Sequence, residues 1–97
     1  MAITRHYSLI AKEGSGDELG RALCELAANV RGVSGCEGVE LYQDMDAPLH
    51  FILIERWQSI DVHKASGRLL GKEIFGRVMT ALSAPPLAAY LESRMLS

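Results

Sequence analysis

The sequence predicts an α+β domain of the ferredoxin-like kind, with elements in the order β-α-β-β-α-β. Three observations carry this prediction. Residues 2–12 and two stretches after residue 35 alternate apolar and polar positions; the apolar residues between them recur at helical intervals; and a second helical stretch stops at Pro85 and Pro86 before one last apolar run. A chain of 97 residues has material for one core, since a domain this small buries only about 60–65% of its unfolded surface, so residues 1–97 form a single domain.

Taken in order, AITRHYSLIAK makes the first strand, with Ile3, Tyr7 and Leu9 on one side and His6, Ser8 and Ile10 on the other. Ser15 and Glu18 then stand at capping-box spacing, and Leu19, Ala22, Leu23, Leu26, Ala27 and Val30 form one helical face. Gly32 suits the position that stops this helix. From Cys36 to Asp44, CEGVELYQD alternates again, DMDAP supplies a turn, and LHFILIERW makes a third strand that pairs with the second as a hairpin. Between Gln58 and Leu82, apolar residues such as Ile60, Val62, Ile74 and Val78 give one or two helical pieces, parted near Gly67. The run PLAAYLESRM fits a strand or a short helix by pattern alone, and a strand completes the order.

A sheet with helices on one side has a second face, which in a monomer should be polar. Here the third strand turns Ile52 and Ile54 one way and Phe51, Leu53 and Trp57 the other. Both sides need cover. The simplest cover for the second is another copy of the chain, giving a homodimer whose sheets close face to face into a dimeric α/β barrel.

The net charge of −2, with ten basic and twelve acidic residues spread along the chain, gives no footprint for nucleic acid or an anionic membrane. No apolar stretch approaches a membrane span, and the N-terminus turns polar too early for a signal peptide, so a cytoplasmic location is expected. Cys24 and Cys36 lack metal-type or Cys-x-x-Cys spacing and read as small, reduced core residues. His6 and His50 lack a partner at ligand spacing, so no metal site is expected. GRLLGKE, from Gly67 to Glu73, departs from a phosphate loop in its glycine spacing and in having Glu73 where Ser or Thr would bind magnesium. Gly67, Gly71 and Gly76 nevertheless imply bends, or room for a ligand, in a helical region.

The string Ile54, Glu55, Arg56, Trp57, Gln58, Ser59, Ile60 resembles the E-x-W-x-S corner of the antibiotic biosynthesis monooxygenase family, which is also similar in element order and length. The resemblance implies a dimeric α+β barrel that oxidises quinols or polycyclic phenols with molecular oxygen, without metal or flavin, holding a hydrophobic or aromatic substrate between sheet and helices. Trp57 falls on the family's tryptophan and Glu55 on the acidic residue before it. Where related aromatic polyketide oxygenases have a tyrosine six positions after the tryptophan, this chain has His63, which keeps a proton-handling group. Where they have an asparagine able to hold a carbonyl, it has Leu53, and Ala65 and Ser66 stand in place of a common Ala-His pair. The residues that heme-degrading relatives use have no equivalent here.

The implied chemistry needs a base for a phenolic proton, because a phenolate passes an electron to oxygen where a neutral phenol hardly can. His63 is the candidate base, against the alternative of a solvent-facing helical histidine. Trp57 is either a core anchor or an aromatic wall whose indole N–H meets a developing oxyanion. Glu55 is expected to pair with Arg56 or another cation, with orienting His63 as the alternative. Tyr7, Tyr42, Tyr90 and His6 complete the candidate pocket residues, with their faces left open. Two other readings fit the same fold: a module that binds a small hydrophobic molecule without chemistry, and an isomerase or cyclase in which His63 shuttles a proton.

Overall fold

The computed structural model describes residues 2–95. Its elements are β1 (Ile3–Ile10), α1 (Gly16–Arg31), β2 (Cys36–Gln43), β3 (His50–Trp57), α2 (Ile60–Ser66), α3 (Lys72–Ala81) and β4 (Leu87–Leu91). The strands form one antiparallel sheet in the order β2-β3-β1-β4, with β2 and β3 joined as a hairpin. This is the ferredoxin-like order, and the last apolar run is its fourth strand.

The register explains which side chains meet. β1 pairs with β3 so that Ile3 faces Trp57, Arg5 faces Glu55, Tyr7 faces Leu53 and Leu9 faces Phe51. In β4, Tyr90 stands beside Arg5 and Ala88 beside Tyr7. Because strand side chains alternate, these residues share the face toward the helices, and His6, Ser8, Ile52, Ile54 and Ala89 share the other. In β2 the alternation breaks between Cys36 and Gly38, where an extra residue lets Cys36, Val39 and Leu41 all pack toward the core.

On α1 the predicted apolar face is buried: Leu19, Ala22, Leu23, Leu26, Ala27 and Val30. Cys24 falls between those positions and is exposed, which corrects its reading as a core residue. The capping box is also absent, since the Ser15 hydroxyl makes no capping bond and only its carbonyl accepts, from the Leu19 N–H at 2.9 Å. Gly32 ends the helix with helical backbone angles. Left-handed geometry comes later, at Gly35, whose φ is +93°. A Cβ there would overlap Val62 Cγ1, and the Gly35 carbonyl accepts from the Gln58 N–H at 3.0 Å. The β2 entrance is thereby packed against the first turn of α2.

The helical region is parted between residues 67 and 71 as the glycines suggested. Added Cβ atoms at Gly71 and Gly76 would meet nothing within 4 Å, so close packing does not explain either one. The sheet's outer face remains rich in apolar side chains, with Leu87 73% exposed and Ile10 and Leu91 about half exposed.

Candidate active site

α2 begins where the Ser59 hydroxyl accepts from the Val62 N–H at 3.2 Å, an N-cap the sequence carried in plain view two residues after Trp57. His63 therefore lies one turn into the helix, on the side facing the sheet. There its ring spans two phenols: Nε2 is 3.0 Å from the Tyr7 hydroxyl and Nδ1 is 2.7 Å from the Tyr90 hydroxyl. Only 14% of its side chain remains exposed. The solvent-facing alternative is thus excluded by geometry.

His63 and Tyr7 belong to the polar end of a cavity of about 260 Å³ between sheet and helices. Tyr7, Glu55 and His63 line that end, and Leu9, Leu23, Leu26, Val30, Leu53 and Val78 line the rest. Lys64, Phe75, Met79 and Pro86 also border the cavity. It is a small, mostly apolar chamber with a few convergent polar groups, the general form of a small-molecule site. Ser66 also touches it, but its hydroxyl donates to the His63 carbonyl at 2.5 Å.

Glu55 is 4% exposed and Trp57 is fully buried. The indole N–H of Trp57 donates to Glu55 Oε1 at 2.9 Å, and the same oxygen lies 3.8 Å from His63 Nε2. This corrects two expectations. Glu55 does not pair with Arg56, which reaches Glu40 on the opposite face at 2.5 Å. Trp57 does not border the cavity, and its N–H is already engaged; the ring backs His63 edge-on with centroids 5.5 Å apart.

Tyr42 and His6 lie on the outer face, away from the cavity. Tyr42 donates to Glu40 at 2.6 Å, and His6 stands in the row of Ile54 and Ala89. Tyr90 does not line the cavity, yet it holds His63 from the far side. On the outer face His50, read as partnerless, lies 2.7 Å from the Ser8 hydroxyl and 3.9 Å from Asp44.

Arg5 was missed. Its guanidinium lies over the Tyr90 ring at 4.1 Å and near the Tyr7 ring at 5.0 Å, and its buried Nε has no hydrogen-bond partner among the described residues. The signal was its position between Ile3 and Tyr7 at a spacing of two, which puts a cation on the inner face.

Electrostatics follow from this crowding. Burial pushes the Glu55 carboxyl up, against the pull of the Trp57 hydrogen bond and the Arg5 charge. Burial pushes His63 below the usual imidazole range, and Arg5 and Lys64 add to that shift. Burial likewise raises the Tyr7 phenol, with Arg5 opposing. The site thus combines a neutral imidazole, a protonated phenol and a nearby fixed positive charge. Among the described residues, no group of three or more His, Cys, Asp or Glu side chains is placed to hold a metal ion, and no helix is long and apolar enough to cross a membrane.

Residues 2–68 match the family model for antibiotic biosynthesis monooxygenases, a span that includes Tyr7, Glu55, Trp57 and His63. The chain belongs to the antibiotic biosynthesis monooxygenase family. Solved structures agree on the fold. The Pseudomonas aeruginosa protein PA3566 superposes with a TM-score of 0.83 at 24% identity, over 97% of this chain and 95% of that one. A Bordetella bronchiseptica protein whose name assigns it to the same family gives 0.82 at 22% identity, over 98% of each chain. SnoaB, a cofactor-independent oxygenase from Streptomyces nogalater solved as a point mutant, gives 0.80 at 13% identity, over 98% of this chain and 95% of its own. A comparison with curated proteins found no match.

Proposed function

We propose that this member of the antibiotic biosynthesis monooxygenase family is a cofactor-independent monooxygenase of a hydroxylated aromatic or quinol. The observation that carries the reading is the hydrogen-bonded pair of Tyr7 and His63 at the polar end of an apolar cavity. A substrate hydroxyl directed at this end gives up its proton to the pair, with His63 neutral and able to accept. The phenolate then passes an electron to dioxygen, and the two radicals combine at a ring carbon. Loss of hydroxide, which takes up one proton to become water, leaves a quinone, so that one oxygen atom enters the product, the other leaves as water, and the substrate supplies the electrons. Arg5 favours the anionic substrate without itself bordering the cavity. The family membership supports this reaction class, as does the activity named for SnoaB.

The working form in this reading is a homodimer, because the apolar outer face carrying Ile10, Ile52, Ile54, Leu87 and Leu91 needs cover that one chain does not provide. One observation favours a second reading, a binding module without chemistry. Leu53 offers no hydrogen bond where related oxygenases have an asparagine.

The test is oxygen uptake by chelator-treated protein with 1,4-naphthohydroquinone and simpler quinols, using isotopically labelled dioxygen. Label in the product supports the monooxygenase. Tight quinol binding without uptake supports the binding module.

A further inference from the structure

We propose that Tyr7, His63 and Tyr90 form a proton relay that carries the substrate's proton out of the cavity and releases it to water at the β4 edge of the sheet. The proposal rests on the oxidation reading above and adds what becomes of the proton. Tyr7 borders the cavity and Tyr90 does not, while His63 bonds to both hydroxyls through its two ring nitrogens, at 3.0 and 2.7 Å. An imidazole held at one nitrogen only can store a proton. One held at both can accept at one side and donate at the other.

In the tautomer with hydrogen on Nδ1, all donors point the same way. The substrate O–H gives its proton to the Tyr7 oxygen, the Tyr7 O–H to His63 Nε2, the Nδ1–H to the Tyr90 oxygen, and the Tyr90 O–H to solvent. Each group loses one proton and gains one, so the net change is one proton moved from substrate to water. Tyr90 is part-exposed and belongs to the outermost strand on that side of the sheet. It lies beyond residues 2–68, the span that the family model matches.

The ionisable groups around the imidazole suit transfer over storage. Arg5 and Tyr7 face it from β1, Glu55 from β3 and Tyr90 from β4, with Lys64 next to it on α2. Burial together with the Arg5 and Lys64 charges lowers its affinity for a second proton. The neutral imidazole is therefore favoured over the imidazolium. Arg5 packs under both phenols and holds their spacing.

Tyr90→Phe is the direct test, because it keeps the ring over Arg5 and leaves the cavity lining intact. With 1,4-naphthohydroquinone, kcat should fall by about tenfold or more while KM stays within about twofold, as expected when proton transfer alone is impaired. Added imidazole buffer should restore the lost rate in the variant and not affect wild type. Tyr42→Phe, a phenol lost from the other face, should change neither. An activity-free readout uses 2-naphthol, which becomes a strong acid on excitation: bound to wild type it should emit mainly as the anion, and in Tyr90→Phe the neutral emission should return as the proton comes back. A quinol that wild type does not oxidise, alongside this naphthol behaviour, would remove the oxidation reading and keep the relay. Unchanged kcat without buffer rescue, or an unchanged naphthol spectrum in Tyr90→Phe, would overturn the relay.

Discussion

The indole N–H of Trp57 donates to Glu55 Oε1 at 2.9 Å, joining two residues that alternate onto the same face of β3. The acidic residue and the tryptophan of the E-x-W motif are thus one hydrogen-bonded unit, buried behind His63. Trp57→Phe should cost about 1–3 kcal/mol by leaving a buried carboxyl without its donor. It should lower kcat far less than the roughly 100-fold that losing an oxyanion donor costs. Urea unfolding and steady-state kinetics check the two halves; a 100-fold fall in kcat with unchanged stability would put the N–H on the substrate.

Glu55→Gln keeps an acceptor for that indole and removes the charge. The wild-type carboxyl titrates above its ordinary value of 4.5 because it is buried. Its favourable contribution is therefore complete below pH 4.5 and is lost as pH rises through the folded-state value. Glu55→Gln should gain stability over wild type as pH rises above 4.5 and match it most closely below. Denaturant melts across that range decide it, and a gap that narrows with rising pH would contradict the burial argument.

The outer sheet face carries a sharper test. Ile52→Asp places a carboxylate in the apolar seam of the proposed dimer, where an unpaired charge costs several kcal/mol. Light scattering should find the wild type near twice its 10.6 kDa chain mass and the variant dissociated or aggregated. A wild-type mass near that of one chain would remove the barrel.

Two glycines should respond in opposite senses. Gly35→Ala forces a side chain into left-handed backbone and onto Val62, and should destabilise by about 1–3 kcal/mol. Gly76, exposed within α3 with open space around it, should gain about 0.5–1 kcal/mol when replaced by alanine. Thermal melts of the two variants give both signs.

Much of the fold was legible because periodicity reports directly on burial. The α1 stripe and the alternation of β3 named the core before any geometry was known. The site was legible in part. His63, Tyr7, Leu53 and Glu55 line the cavity and Tyr90 completes the cluster, whereas Tyr42 and His6 lie on the other face. A single strand does not say which of its two faces meets the helices, and the bulge after Cys36 shifts the phase for Tyr42. Arg5 was hidden for another reason: a charged residue in a strand reads as solvent-facing until its aromatic neighbours on β1 and β4 are known to flank it.

The most direct test of the central claim is the pH dependence of quinol oxidation by metal-stripped wild type and His63→Ala. Since His63 titrates below the ordinary imidazole value of 6.5, wild-type kcat/KM should rise with pH through an ionisation under 6.5 and then level off. His63→Ala should lose that step together with roughly 100-fold or more of the rate. Full activity in His63→Ala, with the same acid limb as wild type, would contradict the assignment of His63 as the base.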